Sequence, residues 1–369
     1  MKPATAQRWA NLFILPTLNI LTAFLVTTLV FLAIGVSPIE AGKLLVKGAF
    51  GYQNGIGYTL YYTTNFIFTG LAVAIAFHAG LFNIGGEGQA YIGGLGVALI
   101  VLALDGILPG IILIPLTIIA AALFGAAWAA IPAYLQAYRG SHIVITTIMF
   151  NFLASSLMVY LLVNILGEKG QMSPETRSFA DTTFLPTWSE MLSWFGIEFA
   201  SSPLNFSFII ALMCCVAVWV FLWKTRWGYE LRAVGANPDA AIYAGINPKH
   251  IIMLAMLISG ALAGLVAVNE LLGVQHRLLL GFNAGYGFGG IAVALMGRNH
   301  PVGIVLAALL FGALYQGGAE LAFDMPNVTR DLVVVIQGLI ILFSGALENM
   351  YRPQLQSLLM RFTKDEVSA

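Results

Sequence analysis

The sequence predicts an all-α polytopic membrane protein, and three observations carry that prediction. Only 9% of the 369 residues are charged, against roughly a quarter in a soluble domain. The mean hydropathy is +0.87. Asp, Glu, Lys and Arg are absent from 9–39, 48–86, 88–104, 106–138, 140–167, 199–223, 278–297, 299–319 and 332–347, and several of these runs exceed the roughly 20 apolar residues that cross a bilayer.

These runs, with a further apolar segment from Ile251 to Asn269, predict ten helices. They fall near 12–36, 57–78, 84–104, 108–136, 142–166, 204–223, 250–272, 284–297, 302–322 and 330–347, in a single transmembrane domain over 1–369. The eighth and tenth are short, and 40–56 reads as an interfacial helix or a loop. The first run is longer than the roughly 7–15 apolar residues of a cleavable signal, so it is read as a span.

Charge asymmetry sets the orientation. With ten crossings and the N-terminus inside, the inner side holds Lys2, Arg8, Arg139, Lys224, Arg226, Arg232, Lys249, Arg298, Arg352, Arg361 and Lys364. The outer side holds only Lys43, Lys47, Lys169, Arg177, Arg277 and Arg330. The excess of basic residues inside predicts both termini in the cytoplasm. Loop 224–249 is then cytoplasmic and loop 167–203 is extracytoplasmic. "FNIG" at 82–85 recurs as "FNAG" at 282–285, which suggests two inverted five-helix repeats, an arrangement frequent in transporters.

Two polar stretches interrupt the apolar pattern. The first is "GANPDAAIYAGINPKH" at 235–250. Asn237 suits an N-cap, Pro238 the first helical position and Asp239 the positive helix end. Gly245 can stop the helix in a left-handed conformation. Asn247 and Pro248 then repeat the start signal. About two turns of helix over 238–244 cannot stand alone in water. Either a partner docks on Ala240, Ala241 and Ala244, with Ile242 and Tyr243 filling its groove, or the helix lies on the protein's own surface.

The second stretch is "GLFNIGGEGQAYIGG" at 80–94. Broken backbone at membrane depth is tolerated where protein buries it or a wet cavity borders it. Glu87 is either a functional intramembrane acid or a cap on the N–H groups opening the third helix, with Asn83 a cap for the same turn. Gly85, Gly86, Glu87, Gln89 and Asn83, with Asn65 and Asn283, are candidate pathway or helix-break residues. His78, Asn151, Gln316, Glu320 and Gln337 also fall in or near spans, where such groups tie helices together or border a path.

Other classes gain little. The net charge of +0 gives no hint of nucleic acid. Adjacent Cys214 and Cys215 suit neither a disulfide nor a zinc pattern and read as packing residues. No H-E-x-x-H, Walker A or G-x-S-x-G pattern and no Cys/His cluster is present, so neither an enzyme, a metal site nor a nucleotide-hydrolysing domain is expected.

"GLFNIGGEGQ" at 80–89 and "GYELRAVGANPDAAIYAGIN" at 228–247 closely resemble the permeases of ABC importers in the ribose and branched-chain amino acid superfamily. The branch the sequence most resembles is the nucleoside and simple-sugar type, and the resemblance covers about 57–347. It implies a subunit of the bacterial cytoplasmic membrane that contacts lipid, an ATPase subunit, a second, shorter permease or a second copy of itself, and an extracytoplasmic solute-binding lipoprotein. It implies that ATP is used by the partner and that no cofactor is held here. It maps the ATPase-coupling helix onto Ala236, Asn237, Pro238, Asp239, Ala240, Ala241, Ile242, Tyr243, Ala244 and Gly245, and makes this chain the longer permease of its pair. The competing expectation is a proton- or sodium-coupled secondary transporter using Glu87, Glu270 and Glu320.

Overall fold

A computed structural model describes residues 15–168, 170, 172–325, 328–329, 332–336 and 338–339. The described chain is helical, in two compact units. The larger unit runs from Tyr52 to Ala313. It holds α3 (Gln53–His78), α4 (Gly86–Leu104), α5 (Gly110–Arg139), α6 (Ile143–Leu161), α7 (Trp188–Ser193), α8 (Ser207–Lys224), α9 (Arg226–Ala236), α10 (Pro238–Tyr243), α11 (Pro248–Gly264), α12 (Tyr286–Met296) and most of α13 (Pro301–Asp324).

Helix α3 is the axis of this unit. Phe66, Ile67, Phe68, Leu71 and Ile75 are fully buried along it. By contrast α5 and α6 keep most of their apolar surface outward, as helices facing lipid should. Membrane helices gain little from burying apolar groups against one another, so close packing of small residues has to hold them. Here a methyl added at Gly93 of α4 would stand 2.5 Å from the Gly264 Cα of α11, and one at Gly260 would stand 2.5 Å from the Gly125 carbonyl of α5. Three helices therefore meet at backbone contact.

Helix α11 continues as a π-helical segment over Val268–Gln275. A hairpin-like stretch of the 167–203 loop lies across its end. Thr176 N–H donates to Leu278 O at 2.9 Å, Phe179 N–H to His276 O at 2.8 Å and Leu185 N–H to Leu272 O at 3.0 Å. Arg177 pins this stretch to the end of α4 by a two-pronged bond to Asp105, 2.8 Å to each oxygen. The guanidinium holds the Asp105 carboxyl below the usual carboxylate range. Arg277 meets Glu175 at 2.9 Å.

The smaller unit comprises 1–51 and 314–369. Within it α1 (Leu15–Ala33) and α2 (Pro38–Phe50) are bent 115° to one another. Gly48 of α2 packs on Glu320, and Gly317 packs on Leu45. Gln316 Nε2 donates to Glu320 Oε1 at 3.1 Å, one helical turn apart.

Ten spans are not all realised at spanning length. Seven helices among the described residues are long and apolar enough to cross a bilayer, or eight if α1 and α2 count as one broken span. The 40–56 stretch holds a true helix, α2, where the chain turns sharply after Gly35 (φ +75). The expected eighth helix, α12, has only 11 residues, because its glycine-rich approach stays unwound. The expected tenth is described only at 332–336 and 338–339. Gln337 and the rest of 330–347 otherwise lie largely outside the described residues.

Candidate functional site: two facing helix breaks and a capped surface helix

Six of the seven candidate pathway residues meet at one junction. The chain unwinds over Ala79–Gly85 before α4 and again over His276–Gly285 before α12, with Gly80, Gly281 and Gly285 in the left-handed region. Asn83 holds the first break together. Its Oδ1 accepts from Gly85 N–H at 2.8 Å and from Gln89 Nε2 at 3.2 Å, and its Nδ2 donates to Gln89 Oε1 and to Ser259 Oγ, both at 2.9 Å. Ser259 Oγ donates onward to Ala72 O at 2.6 Å. Asn151 of α6 closes the other side, accepting from Gly88 N–H at 2.8 Å and donating to Ile84 O at 2.9 Å.

Glu87 acts across the junction. Its carboxylate accepts from Gly285 N–H at 3.0 Å and Gly287 N–H at 2.8 Å, while Asn283 Nδ2 donates to Glu87 O at 3.1 Å. It therefore caps α12, whereas the sequence left open a functional acid or a cap on its own helix α4. A methyl added at Gly86 would lie 3.5 Å from Gly287 Cα. Two helix N-termini, each carrying partial positive charge, thus come together around one carboxylate. Tyr91 OH accepts from Gly281 N–H, and its ring stacks on Phe282 at 5.4 Å between centroids. These contacts join the two breaks as a single polar, hydrogen-bonded layer.

Asn65 belongs elsewhere. Its Nδ2 donates to Glu270 Oε1 at 2.6 Å and its Oδ1 accepts from Asn269 Nδ2 at 2.9 Å. Sequence reasoning passed over Tyr61, Asn269, Ser259 and Tyr91. One signal was available: Tyr61 and Asn65 are four apart and share a helix face, and Asn269–Glu270 is a polar pair in an apolar run.

At the opposite end of α11 the surface helix forms as its caps dictate. Asn237 is extended and its Oδ1 accepts from Ala240 N–H at 3.1 Å. Gly245 is left-handed at φ +79. Asn247 Oδ1 accepts from Lys249 N–H at 3.0 Å and starts α11. Ala236, Asn237, Pro238, Asp239, Ala240, Ala244 and Gly245 are exposed, as are Ile242 at 56% and Tyr243 at 94%. Ala241, grouped with the docking alanines by sequence, is only 3% exposed. It faces inward and seats α10 on its own chain.

A bundle of apolar helices with broken, polar-lined helix starts and an exposed capped helix at one end defines an integral-membrane permease. Residues 55–345 match the family described as the branched-chain amino acid transport system / permease component, and the chain belongs to that family. Its relatives include the guanosine ABC transporter permease protein NupP of Bacillus subtilis, 37% identical over 91% of this chain and 94% of the relative. The glucose ABC transporter permease protein TsgB13 of Haloferax volcanii is 35% identical over 89% and 86%. A second guanosine permease protein of Bacillus subtilis, NupQ, is 29% identical over 73% and 85%. No solved structure matches the chain.

Proposed function

We propose that this chain is the permease subunit of an ATP-binding-cassette importer, that its solute is a nucleoside, and that α10 is the lever on which a partner ATPase pulls. The observation that carries the lever is α10 itself. A helix of six residues, fixed by caps at both ends, leaves Tyr243 94% exposed, where a large aromatic ring suits a partner's groove. Four residues link it to α11, whose Ser259 reaches the Asn83 layer and whose π segment ends under the 167–203 stretch. Closure of an ATPase pair would then shift α11 as a rod between populations open to either side. ATP chemistry stays in the partner.

In this reading 224–249 faces the cytoplasm of a bacterial cell, and 167–203 faces an external solute-binding lipoprotein. A second, different permease completes the pathway. Two proteins of one Bacillus species are each named guanosine permeases, and this chain is nearer one of them. Guanosine and glucose, in the names of its relatives, are both neutral polyhydroxylated solutes, and a nucleoside is favoured by the higher identity. The test is recovery of the tagged complex from native membranes with Ile242→Glu and Tyr243→Glu together. The expected result is a chain that stays in the membrane with its second permease but loses the ATPase and guanosine uptake. Unchanged ATPase recovery and uptake would end the lever proposal.

A further inference from the structure

The junction leaves one buried ionisable group unused. Glu270 is 2% exposed and lies in the π segment, within the apolar span Pro248–Gln275. Its Oε1 accepts from Tyr61 OH and Asn65 Nδ2 of α3, each at 2.6 Å. The side chains of Gln275 and Tyr286 are also within hydrogen-bonding reach, and among the described residues no Lys, Arg or His is one of its partners. Next to it, Asn269 Nδ2 donates to Asn65 Oδ1 at 2.9 Å and Tyr61 O at 3.2 Å, while its Oδ1 accepts from Asn205 Nδ2 at 3.0 Å and Ser207 Oγ at 2.6 Å. Two adjacent side chains thus tie one segment to α3, to the start of α8 and to α12.

As a static brace this arrangement is expensive. An acid within a bilayer is costly, and apolar packing of the same volume would hold helices together at least as well. Neutral donors, unlike a buried cation, release a carboxylate without leaving an opposite charge stranded. The backbone points the same way. Eight residues of π-helix carry a register that an ordinary α-helix does not, and such segments are frequent at functional positions. The segment is also where α11, seated at one end on α10, meets the 167–203 stretch at the other through Leu272 and His276.

We propose that Glu270 and Asn269 form a breakable latch: their bonds to Tyr61 and Asn65 hold the π segment against α3 in the state described, and release on every transport cycle. Glu270 is a positioning residue in this scheme and touches no solute. The proposal rests on the chain being a transport permease and extends it to a residue that opens the path.

The test uses the complete transport system in its host, with Cys214→Ala and Cys215→Ala as background and Asn65→Cys with Asn269→Cys as the cross-link pair. Labelled guanosine and glucose are the uptake probes. With the pair reduced, uptake persists. Oxidation that closes the cross-link abolishes uptake, and reductant restores it. Full uptake with the cross-link closed would overturn the latch while leaving the permease reading intact. A second arm does not depend on that pair or on the solute. In non-energised membranes, Tyr61→Phe and, separately, Glu270→Gln speed labelling of Leu272→Cys by an impermeant maleimide about three- to tenfold, the effect of losing one or two interhelical hydrogen bonds. A merely structural role would lower uptake without changing that rate, so an unchanged rate would also overturn the proposal.

Discussion

Glu87 and Gly287 stand 200 residues apart in sequence and are joined by a 2.8 Å hydrogen bond from the Gly287 N–H to the Glu87 carboxylate. With the companion bond from Gly285 N–H, it makes one acid the cap of a helix on the far side of the junction. Removing it leaves N–H groups of α12 without an acceptor in a buried setting. Glu87→Ala is expected to cost about 2 kcal/mol, the range for charge-assisted bonds to a helix N-terminus. It should lower the thermal midpoint of the detergent-solubilised complex and nearly abolish uptake. Glu87→Gln, which keeps one carbonyl acceptor, should fall between it and the parent. Equal behaviour of all three would show that the cap is not needed.

The packing of α4, α5 and α11 predicts a steep dependence on single methyl groups. Gly93→Ala would place Cβ 2.5 Å from Gly264 Cα, and a backbone atom cannot swing away as a side-chain tip can. Overpacking of this kind costs roughly 1–3 kcal/mol or more. The variant should reach the membrane at much lower abundance by immunoblot. Gly42→Ala in α2 meets nothing within 4 Å and replaces a poor helix former with a good one. It should accumulate normally.

Legibility in the sequence followed the range of the interaction. The caps of α10 and α11 were readable because Asn–Pro acts on its immediate neighbours, and Asn237 and Asn247 both do so. The partner of Glu87 was not, because which helix start lies beside it is decided by tertiary packing 200 residues away. The inward turn of Ala241 was equally hidden, since six residues are too few to reveal a buried face. Counting charge-free runs gives ten helices, of which the described residues show seven, or eight with α1 and α2 as one, at spanning length. It cannot distinguish a crossing helix from the unwound glycine-rich approach to α12 or the sharp turn between α1 and α2. The π register at Val268–Gln275 leaves no mark on an apolar sequence.

The Asp105–Arg177 pair makes the 167–203 stretch sensitive to acid in one direction. Arg177 lowers the Asp105 carboxyl in the folded state, so the tie is present above the ordinary carboxylate value of about 4. It is lost as the pH falls through the lowered value. Arg177 is partly exposed, so salt screens part of the attraction. Limited proteolysis should find the parent stretch protected from neutral pH down to about 4 and cleaved only as the pH falls further, through the lowered Asp105 value. Arg177→Gln should be cleaved faster at neutral pH, with little further change on acidification. A parent cleaved at the same rate as the variant throughout would show that other bonds hold the stretch.

Asn237 isolates the stability of α10 from the chemistry of its exposed face. Its side chain accepts from Ala240 N–H at 3.1 Å, and Asn→Ala at an N-cap costs about 1 kcal/mol. For a helix of six residues, marginal by length alone, that loss is enough to fray it. Asn237→Ala should reduce uptake several-fold while leaving the chain's abundance unchanged, because the loss is confined to one short surface helix. Asn237→Asp, which keeps the acceptor and favours the positive helix end, should restore uptake. Ala241→Arg is a different experiment: it drives a charged chain into a position 3% exposed, so it should unseat α10 from its own protein. Measuring uptake beside hydrogen exchange of the 236–246 amides separates the cases. Asn237→Ala and Ala241→Arg should raise exchange and lower uptake, whereas Tyr243→Ala should lower uptake with exchange unchanged. If Tyr243→Ala transports normally while the two unfolding variants do not, the exposed ring is no docking element, and the helix serves only to hold the start of α11.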